Sequence, residues 1–406
     1  MTSAPVQLEM ADKSAPLKAS ERGFERPAEP PTEDLREQLF ELEAAGELEV
    51  QRVPEPFIEV ETKYGRKKKI PIENTWHHKS CGQCGHIPGY STAIFWLNRQ
   101  FGLDYHDPRD QTSCTAWNYY ASSTSNPAAQ AAVACRNFAQ AKLDGYFPLI
   151  HCGTSYGHYK EVRNELLHHP ELRAQVRQIL ERLGLPFVFP EEVVHYSEWV
   201  HVMRDDIAKK QIYDFSDITA TVHPACHYHK LVVEDAIYDR DLYDGQRTAI
   251  VSGLVKALGA TVADYSTWHD CCGFGFRNIL VSRDFSRSFA TIRKIERMKE
   301  EADPDVTLTH DTGCVTTLDK SQFSTQAHNR NVGIPVMSDA QFAALSMGAH
   351  PYLICQLHWH GVDMKPLLEL MGIDHVKAWK EFERVADHLK DNPEEYLTWE
   401  ECLDEQ

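Results

Sequence analysis

The sequence predicts an α/β protein built from two similar cysteine-rich domains, with an N-terminal extension and a helical C-terminal tail. Three observations carry that expectation. At 406 residues the chain can bury a large core and suggests two domains rather than one. Strand-like and helix-like stretches alternate through the body. An amphipathic stretch followed by cysteines and a short apolar strand occurs twice in the same order. The expected boundaries are residues 1–55 for the extension, 56–215 for the first domain with a helical connection, 216–373 for the second, and 374–406 for an acidic helical tail.

Residues 1 to 31 are rich in Pro, Ala, Glu and Lys and offer little to bury, so they are expected to be flexible. Thr32 is expected to cap a short helix carrying Leu35, Leu39 and Leu42 on one stripe, either a docking element or a solvated arm. Phe57-Ile58-Glu59-Val60, turning near Gly65 into Lys69-Ile70, reads as a hairpin. Its basic run Arg66-Lys67-Lys68-Lys69 reads as a solvated edge strand.

The first copy of the repeated unit starts an amphipathic helix at Thr92-Ala93-Ile94, ends it at Gly102, and continues through Asp104-Tyr105. Cys81 stands upstream, Ser113-Cys114 follow, and Cys152 comes after the apolar strand Tyr146 to Ile150. The second copy starts at Thr248-Ala249-Ile250, ends at Gly259, and continues through Asp264-Tyr265. Cys226 stands upstream, Cys271-Cys272 follow, and Asp311 and Cys314 come after the strand Val306 to Leu308. Loops at strand ends and helix starts of such units can hold a ligand together. Residues 160 to 215 read as mainly helical, Ser338-Asp339 as the cap of a helix reaching Met347, and Leu367 to Met371 as another helix. In the tail, Trp379, Phe382 and Val385 are placed to pack a charged helix onto the body.

The formal charge of −18 excludes a general affinity for nucleic-acid phosphates. No apolar run approaches the roughly 20 residues of a membrane helix, and no secretory leader is legible, so a cytoplasmic protein without a membrane span is expected. Eleven cysteines in such a chain point to metal or redox chemistry rather than a disulfide scaffold. Cys135 and Cys402 each read as core filler or a surface thiol.

The adjacent pair in Trp268-His269-Asp270-Cys271-Cys272-Gly273 is too close for an unstrained disulfide, which leaves joint metal ligation. Cys226 precedes the pair by a gap of 44 residues and Cys314 follows it by a gap of 41. Four thiolates from three segments suit an iron-sulfur cluster or zinc, and the adjacency favours iron-sulfur. The other set is Cys81, Cys84, Cys114 and Cys152, where Cys81-Gly82-Gln83-Cys84 forms a C-x-x-C knuckle and zinc competes with iron-sulfur. His86, His151, His223, His227, His229, His269 and His310 crowd the same loops. Each is a structural histidine, a neutral ligand, or a cation that holds thiols as thiolates. His358 and His360 read as an exposed pair.

These residues resemble the cysteine-rich CCG-domain family, in particular the B subunit of heterodisulfide reductase, over residues 78 to 370. The resemblance implies two copies of a motif in which one Cys is followed by Cys-Cys-Gly or Cys-Cys-Pro and then by C-x-x-C. Its five cysteines hold a noncubane 4Fe-4S cluster, and the cluster pair cleaves a disulfide. Cys226 takes the first place of the second motif, Cys271 and Cys272 the double place, and Cys314 the last, with Asp311 where a cysteine is expected. In the first motif Cys81 takes the first place, Ser113 and Cys114 the double place, and Cys152 and Ser155 the last. Each copy departs from the pattern; Asp311 is a candidate oxygen ligand and Cys84 a candidate replacement thiol.

Within that family the sequence resembles in particular the divergent B-type subunit of heterodisulfide reductase-like complexes of sulfur-oxidising bacteria. That resemblance implies an oxidoreductase subunit acting on disulfide or sulfane sulfur, two iron-sulfur clusters of noncubane or cubane 4Fe-4S type, or zinc at the first site. It also implies C-type iron-sulfur and A-type flavin partner subunits and a lipoate-binding carrier protein. The chain has no C-x-x-C-x-x-C-x-x-x-C-P ferredoxin run, so electrons need a partner. His227, His229 and His310 are candidate tuning or proton-relay groups. Two alternatives stand beside this reading: the iron-sulfur subunit of a glycolate- or lactate-type oxidase, and a zinc-stapled structural subunit.

Overall fold

The structure is a computed structural model and describes residues 34–78, 87–108, 111–116, 126–231, 233–238, 250–275, 282–323 and 332–392. The expectations for residues 1–31, Thr32, Cys81, Cys84, His86, Thr248 and Cys402 fall outside these residues.

Helix α1 (Leu35–Ala44) is capped by Asp34, whose side chain accepts a hydrogen bond from Arg36 N; the cap expected from Thr32 lies two residues further on. Strand β1 (Glu49–Gln51) then pairs in parallel with residues 188–190. The described part of the extension is therefore tied to the body, because Val50 and Leu39 bury their side chains in the main core. The expected hairpin forms from β2 (Phe57–Glu61) and β3 (Lys67–Pro71), antiparallel, with Gly65 at positive φ in the turn.

Its basic run is not a solvated edge. Lys68 is fully buried, with Nζ 2.8 Å from Glu198 Oε1 and 2.9 Å from Tyr156 Oη. Arg66 pairs with Glu192 at 2.7 Å and Asp235 at 2.8 Å, and Lys69 pairs with Glu191 at 2.9 Å. Burial works to raise the Asp235 carboxyl, but the cations of Arg163, Arg66, Lys68 and Lys160 hold it well below the ordinary range.

The first parallel sheet has the order β5-β4-β6-β8 and uses β4 (Thr75–His78), β5 (Tyr105–His106), β6 (Phe147–Ile150) and β8 (Val194–His195). Helices α2 (Tyr90–Gln100), α3 (Pro127–Leu143), α4 (Gly153–His168) and α5 (Pro170–Arg182) connect these strands, with β7 (Val188–Pro190) before β8. β4 and β6 are buried throughout, as strands covered on both faces should be. Asn126 caps α3 by accepting from Ala128 N at 2.8 Å, and Pro127 occupies the first turn, where its missing N–H costs nothing.

After α6 (Tyr196–Lys209) the second parallel sheet begins, with the order β10-β9-β11-β12. Its strands are β9 (Thr219–His223), β10 (Thr261–Ala263), β11 (Val306–Thr309) and β12 (Val336–Ser338). They alternate with α7 (Cys226–His229), α8 (Ile250–Ala257), α9 (Arg283–Ala290), a π-helical segment (Thr291–Ile295) leading into α10 (Glu296–Glu301), α11 (Thr312–Ser321) and α12 (Asp339–Ser346). In both sheets the first strand in sequence lies between the second and third, and the fourth lies outside the third. The expected cap at Ser338 forms, with Gln341 returning the bond to Ser338 N.

Helices of one half pack on helices of the other: α2 on α12, α4 on α7, and α6 on α8. Two short strands, β7 and β8, interrupt the stretch expected to be mainly helical. α13 (Lys365–Leu370) and α14 (His375–Asp391) close the described chain, with Trp379 and Phe382 against Tyr352. His360, expected at the surface, is buried, with Nε2 3.0 Å from Gln341 Nε2. Among the described residues no helix is long and apolar enough to cross a membrane.

Candidate metal centre

Three parallel strands of the second sheet end on one group of loops. β9 finishes at His223 and passes through Pro224 and Ala225 into Cys226, the first residue of α7. The segment after β10 carries Cys271 and Cys272. β11 leads through His310 to Asp311, the N-cap of α11, with Cys314 in the first turn. The C-terminal ends of parallel strands are where diverging loops leave room for a ligand.

The four thiols meet in a chain: Cys226 hydrogen-bonds with Cys271, Cys271 with Cys272, and Cys272 with Cys314. None is in a disulfide. Hydrogen bonds from Cys226 and then Cys272 hold the Cys271 sulfur far below the usual thiol range. Conversely, the hydrogen bond to Cys271 and then burial push the Cys226 thiol up. Bonds to Cys271 and Cys314 together with burial do the same to Cys272. At Cys314 the bond with Cys272 pulls downward, but burial and the Asp311 charge carry the thiol up to about 12. Sulfurs that share protons in a dry site are poised to exchange those protons for a metal, since metal binding releases ligand protons.

Depth is graded across the set. Cys271 is exposed, Cys226 half-buried, and Cys272 and Cys314 are buried. Backbone N–H groups support the sulfurs, from Gly273 to Cys271 Sγ at 3.4 Å and from Phe274 to Cys272 Sγ at 3.3 Å. Gly273 is required here because its φ is +88° and a Cβ would lie 2.6 Å from the Ser286 carbonyl.

Two lysines supply the positive charge. Lys230 Nζ donates to the His269 carbonyl at 2.6 Å, and its charge works to lower the Cys226 and Cys271 thiols. Lys294, set by the π-helical segment, donates to the carbonyls of Thr267 and Trp268. Burial drives its ammonium down to about 7, against the pull of Asp270 and of the Cys226, Cys272 and Cys314 sulfurs. Nothing local marks Lys294 in the sequence, where it looks like one charge on a charged helix.

The histidines do not supply that charge. Burial holds His223 and His229 well below their ordinary range and His310 at about 4, so they are neutral near pH 7. His310 Nε2 accepts from Ala225 N at 2.8 Å, and His229 Nδ1 donates to the Ala225 carbonyl at 2.8 Å. His223 is different. One of its ring nitrogens lies within 4.8 Å of the sulfurs of Cys272 and Cys314, and both nitrogens are buried without a hydrogen-bond partner among the described residues.

Asp311 sits between the two halves. Its Oδ1 accepts from Cys314 N at 2.9 Å, and its Oδ2 accepts from Thr154 N at 2.9 Å and Thr154 Oγ1 at 3.1 Å. Cys152 Sγ lies 3.6 Å from the same Oδ2 and receives a hydrogen bond from Thr312 Oγ1 at 3.3 Å. Both oxygens are thus engaged, Oδ1 in capping α11 and Oδ2 in joining it to α4. The approach is close enough that a Cβ on Gly153 would lie 2.8 Å from Ala225 Cβ.

In the first half Cys152 is the N-cap of α4 after β6, and Cys114 lies in the loop after β5; both are buried and both act on the Tyr159 hydroxyl. The placement beyond strand ends matches that of the second half. Cys135 is fully buried on α3 and Cys355 is buried under α12, each as part of the core.

Residues 220–319 match the family model of the cysteine-rich CCG domain. The chain is 29% identical to a protein of Archaeoglobus profundus that is described as like the B subunit of heterodisulfide reductase, across 62% of this chain and 82% of that one. It is 27% identical to the B subunit of the ferredoxin:CoB-CoM heterodisulfide reductase of Methanosarcina acetivorans, across 75% of this chain and 98% of that one. A crystal structure of a hypothetical protein from Helicobacter pylori superposes with a TM-score of 0.55 at 13% identity, covering 82% of this chain and 58% of the other, a likeness of fold alone. The chain thus carries a match to the cysteine-rich CCG domain over residues 220–319 and is similar to B subunits of heterodisulfide reductase.

Proposed function

We propose that the chain is a redox iron-sulfur subunit of a heterodisulfide reductase-like complex, making or breaking sulfur–sulfur bonds. The observation that carries this reading is the gathering of Cys226, Cys271, Cys272 and Cys314, brought from three strand ends into one hydrogen-bonded group. These residues fit a cluster: the donors are soft, two lysines offset negative charge, and backbone N–H groups reach the sulfurs. A cluster supplies one-electron steps when bound. The chain's own residues hold it, set its potential by charge and burial, and leave Cys271 toward solvent where a sulfur substrate arrives.

Cys81, Cys84, Cys114 and Cys152 are proposed to hold a second centre, iron-sulfur or zinc. Asp311, a candidate ligand from its place in the motif, is better supported as the clasp between the two centres, since both its oxygens are occupied. The matching strand orders support a duplicated CCG unit, with halves at residues 56–215 and 216–373. C-type iron-sulfur and A-type flavin subunits are the proposed electron partners. A sulfane-sulfur substrate on a lipoate-binding carrier, in sulfur oxidation, is the finer form of the same proposal.

Anaerobic purification with iron and acid-labile sulfide analysis tests the reading, together with visible absorption and electron paramagnetic resonance. Cys272→Ser is expected to abolish one paramagnetic species and leave the other. Loss of both species at once would mean one shared site, and a colourless zinc-loaded protein would establish the structural alternative instead.

A further inference from the structure

We infer that His223 is a nitrogen ligand of the second centre, completing a set of four sulfurs and one imidazole. The inference rests on the metal-centre reading above and adds a residue that the cysteine motif does not contain. In the five-cysteine pattern, the place before the last cysteine holds a thiol; this chain has Asp311 there, with both oxygens committed to Cys314 N and to Thr154. A fifth donor must come from elsewhere, and His223 is placed to give it.

Position is the first argument. His223 ends β9 three residues before Cys226, so the same strand end that delivers one thiol delivers the ring. A ring nitrogen and the sulfurs of Cys272 and Cys314 all lie within 4.8 Å of one another. Ligands held about 2.0–2.3 Å from a common metal ion are necessarily separated by no more than roughly twice that length, so the three atoms are in range of one ion.

Satisfaction is the second argument. Burying a polar group without a partner is costly, and His223 leaves both nitrogens in that state. His229 and His310 do not share this property, because each commits one nitrogen to the Ala225 backbone. A metal at the thiols relieves part of the His223 penalty. No hydrogen-bonding role among the described residues does so, since no acceptor or donor there reaches the ring.

The arrangement is asymmetric in a useful way. His223 stands at the buried end, beside Cys272 and Cys314, while Cys271 and Cys226 form the more accessible end. An imidazole is a neutral donor where a thiolate carries negative charge, so replacing one thiolate by His223 lowers the net negative charge of the centre and raises its potential. Rieske centres follow the same electrostatic rule.

The test uses full-length protein purified anaerobically with its cluster and labelled with ¹⁵N-histidine. Pulsed electron paramagnetic resonance of the paramagnetic state is expected to show one strongly coupled histidine nitrogen. That coupling is expected to vanish in both His223→Ala and Cys272→Ser. His223→Cys controls for folding: it should keep the wild-type iron content and lose the nitrogen coupling.

Only weakly coupled nitrogens in the clustered wild-type protein, or a strong coupling that survives His223→Ala, would overturn the inference. Failure of the iron-sulfur reading is distinguishable, because it appears as iron-free protein. In that case cobalt(II) is loaded in place of zinc: ligand-field bands that shift on His223→Ala retain His223 as a ligand, and unchanged bands remove it.

Discussion

At the end of the first sheet, His195 caps α6 and Glu198, three residues on, returns a hydrogen bond to His195 N at 2.9 Å; at the end of the second, Ser338 caps α12 and Gln341 returns one to Ser338 N at 2.9 Å. The two junctions share a capping box but differ in what the third residue does next. Glu198 is a buried carboxylate that takes Lys68 at 2.8 Å and the Tyr228 hydroxyl at 2.7 Å. Gln341 is a neutral amide that donates to the carbonyls of Pro88 at 3.0 Å and Cys355 at 2.8 Å. Each reaches into the opposite half, since Tyr228 follows β9 and Pro88 precedes α2. The same local device thus ties the halves together, by a tyrosine hydroxyl on a buried carboxylate on one side and by amide bonding on the other.

The largest effect expected from breaking this comparison comes from Lys68→Met. It leaves the Glu198 carboxylate buried without its cation, for a loss of about 3–5 kcal/mol in urea unfolding. Gln341→Ala should cost about 1–3 kcal/mol, the scale of leaving a buried neutral group without its partner. Equal losses at the two positions would show that the junctions do not differ in kind. The double variant Lys68→Met with Glu198→Gln should recover much of the first loss, because no unpaired charge remains.

Next in size is Asp311→Ala, which removes the α11 cap and the bonds to Thr154. About 2–3 kcal/mol of stability should go with it. Metal content should fall at both centres, since Cys152 and Cys314 both adjoin this carboxylate; loss at the second alone would break the clasp.

The smallest effect concerns the first residue of the two capped helices, Tyr196 on α6 and Asp339 on α12. Burial raises the Asp339 carboxyl from 3.8 to about 6. The folded state therefore favours its protonated form, and the associated stability is present below pH 4 and lost as pH rises through about 6. Asp339→Asn should flatten that part of the pH profile and stabilise the protein near pH 7 by on the order of 1–2 kcal/mol. An unchanged melting profile from pH 4 to 7 would contradict the assignment.

The grouping of Cys226, Cys271, Cys272 and Cys314 is legible in the sequence because their chemistry is sparse and needs no knowledge of contacts. Helices with strong caps, such as the one after Ser338, are equally plain. Lys68 misleads because four consecutive basic residues look solvated, while their acidic partners lie more than a hundred positions away in sequence. β7 and β8 escape sequence reading because strands of three and two residues are too short to show a period. His223 stands among seven histidines, and nothing local separates it from the others. Only the ends of β9, β10 and β11 meeting in space single it out.

The graded depth of the second centre gives it a direction. Small oxidants, alkylating reagents and chelators meet Cys271 first and the sulfurs of Cys272 and Cys314 last. Attack on the thiols therefore begins at Cys271 and reaches Cys272 and Cys314 last.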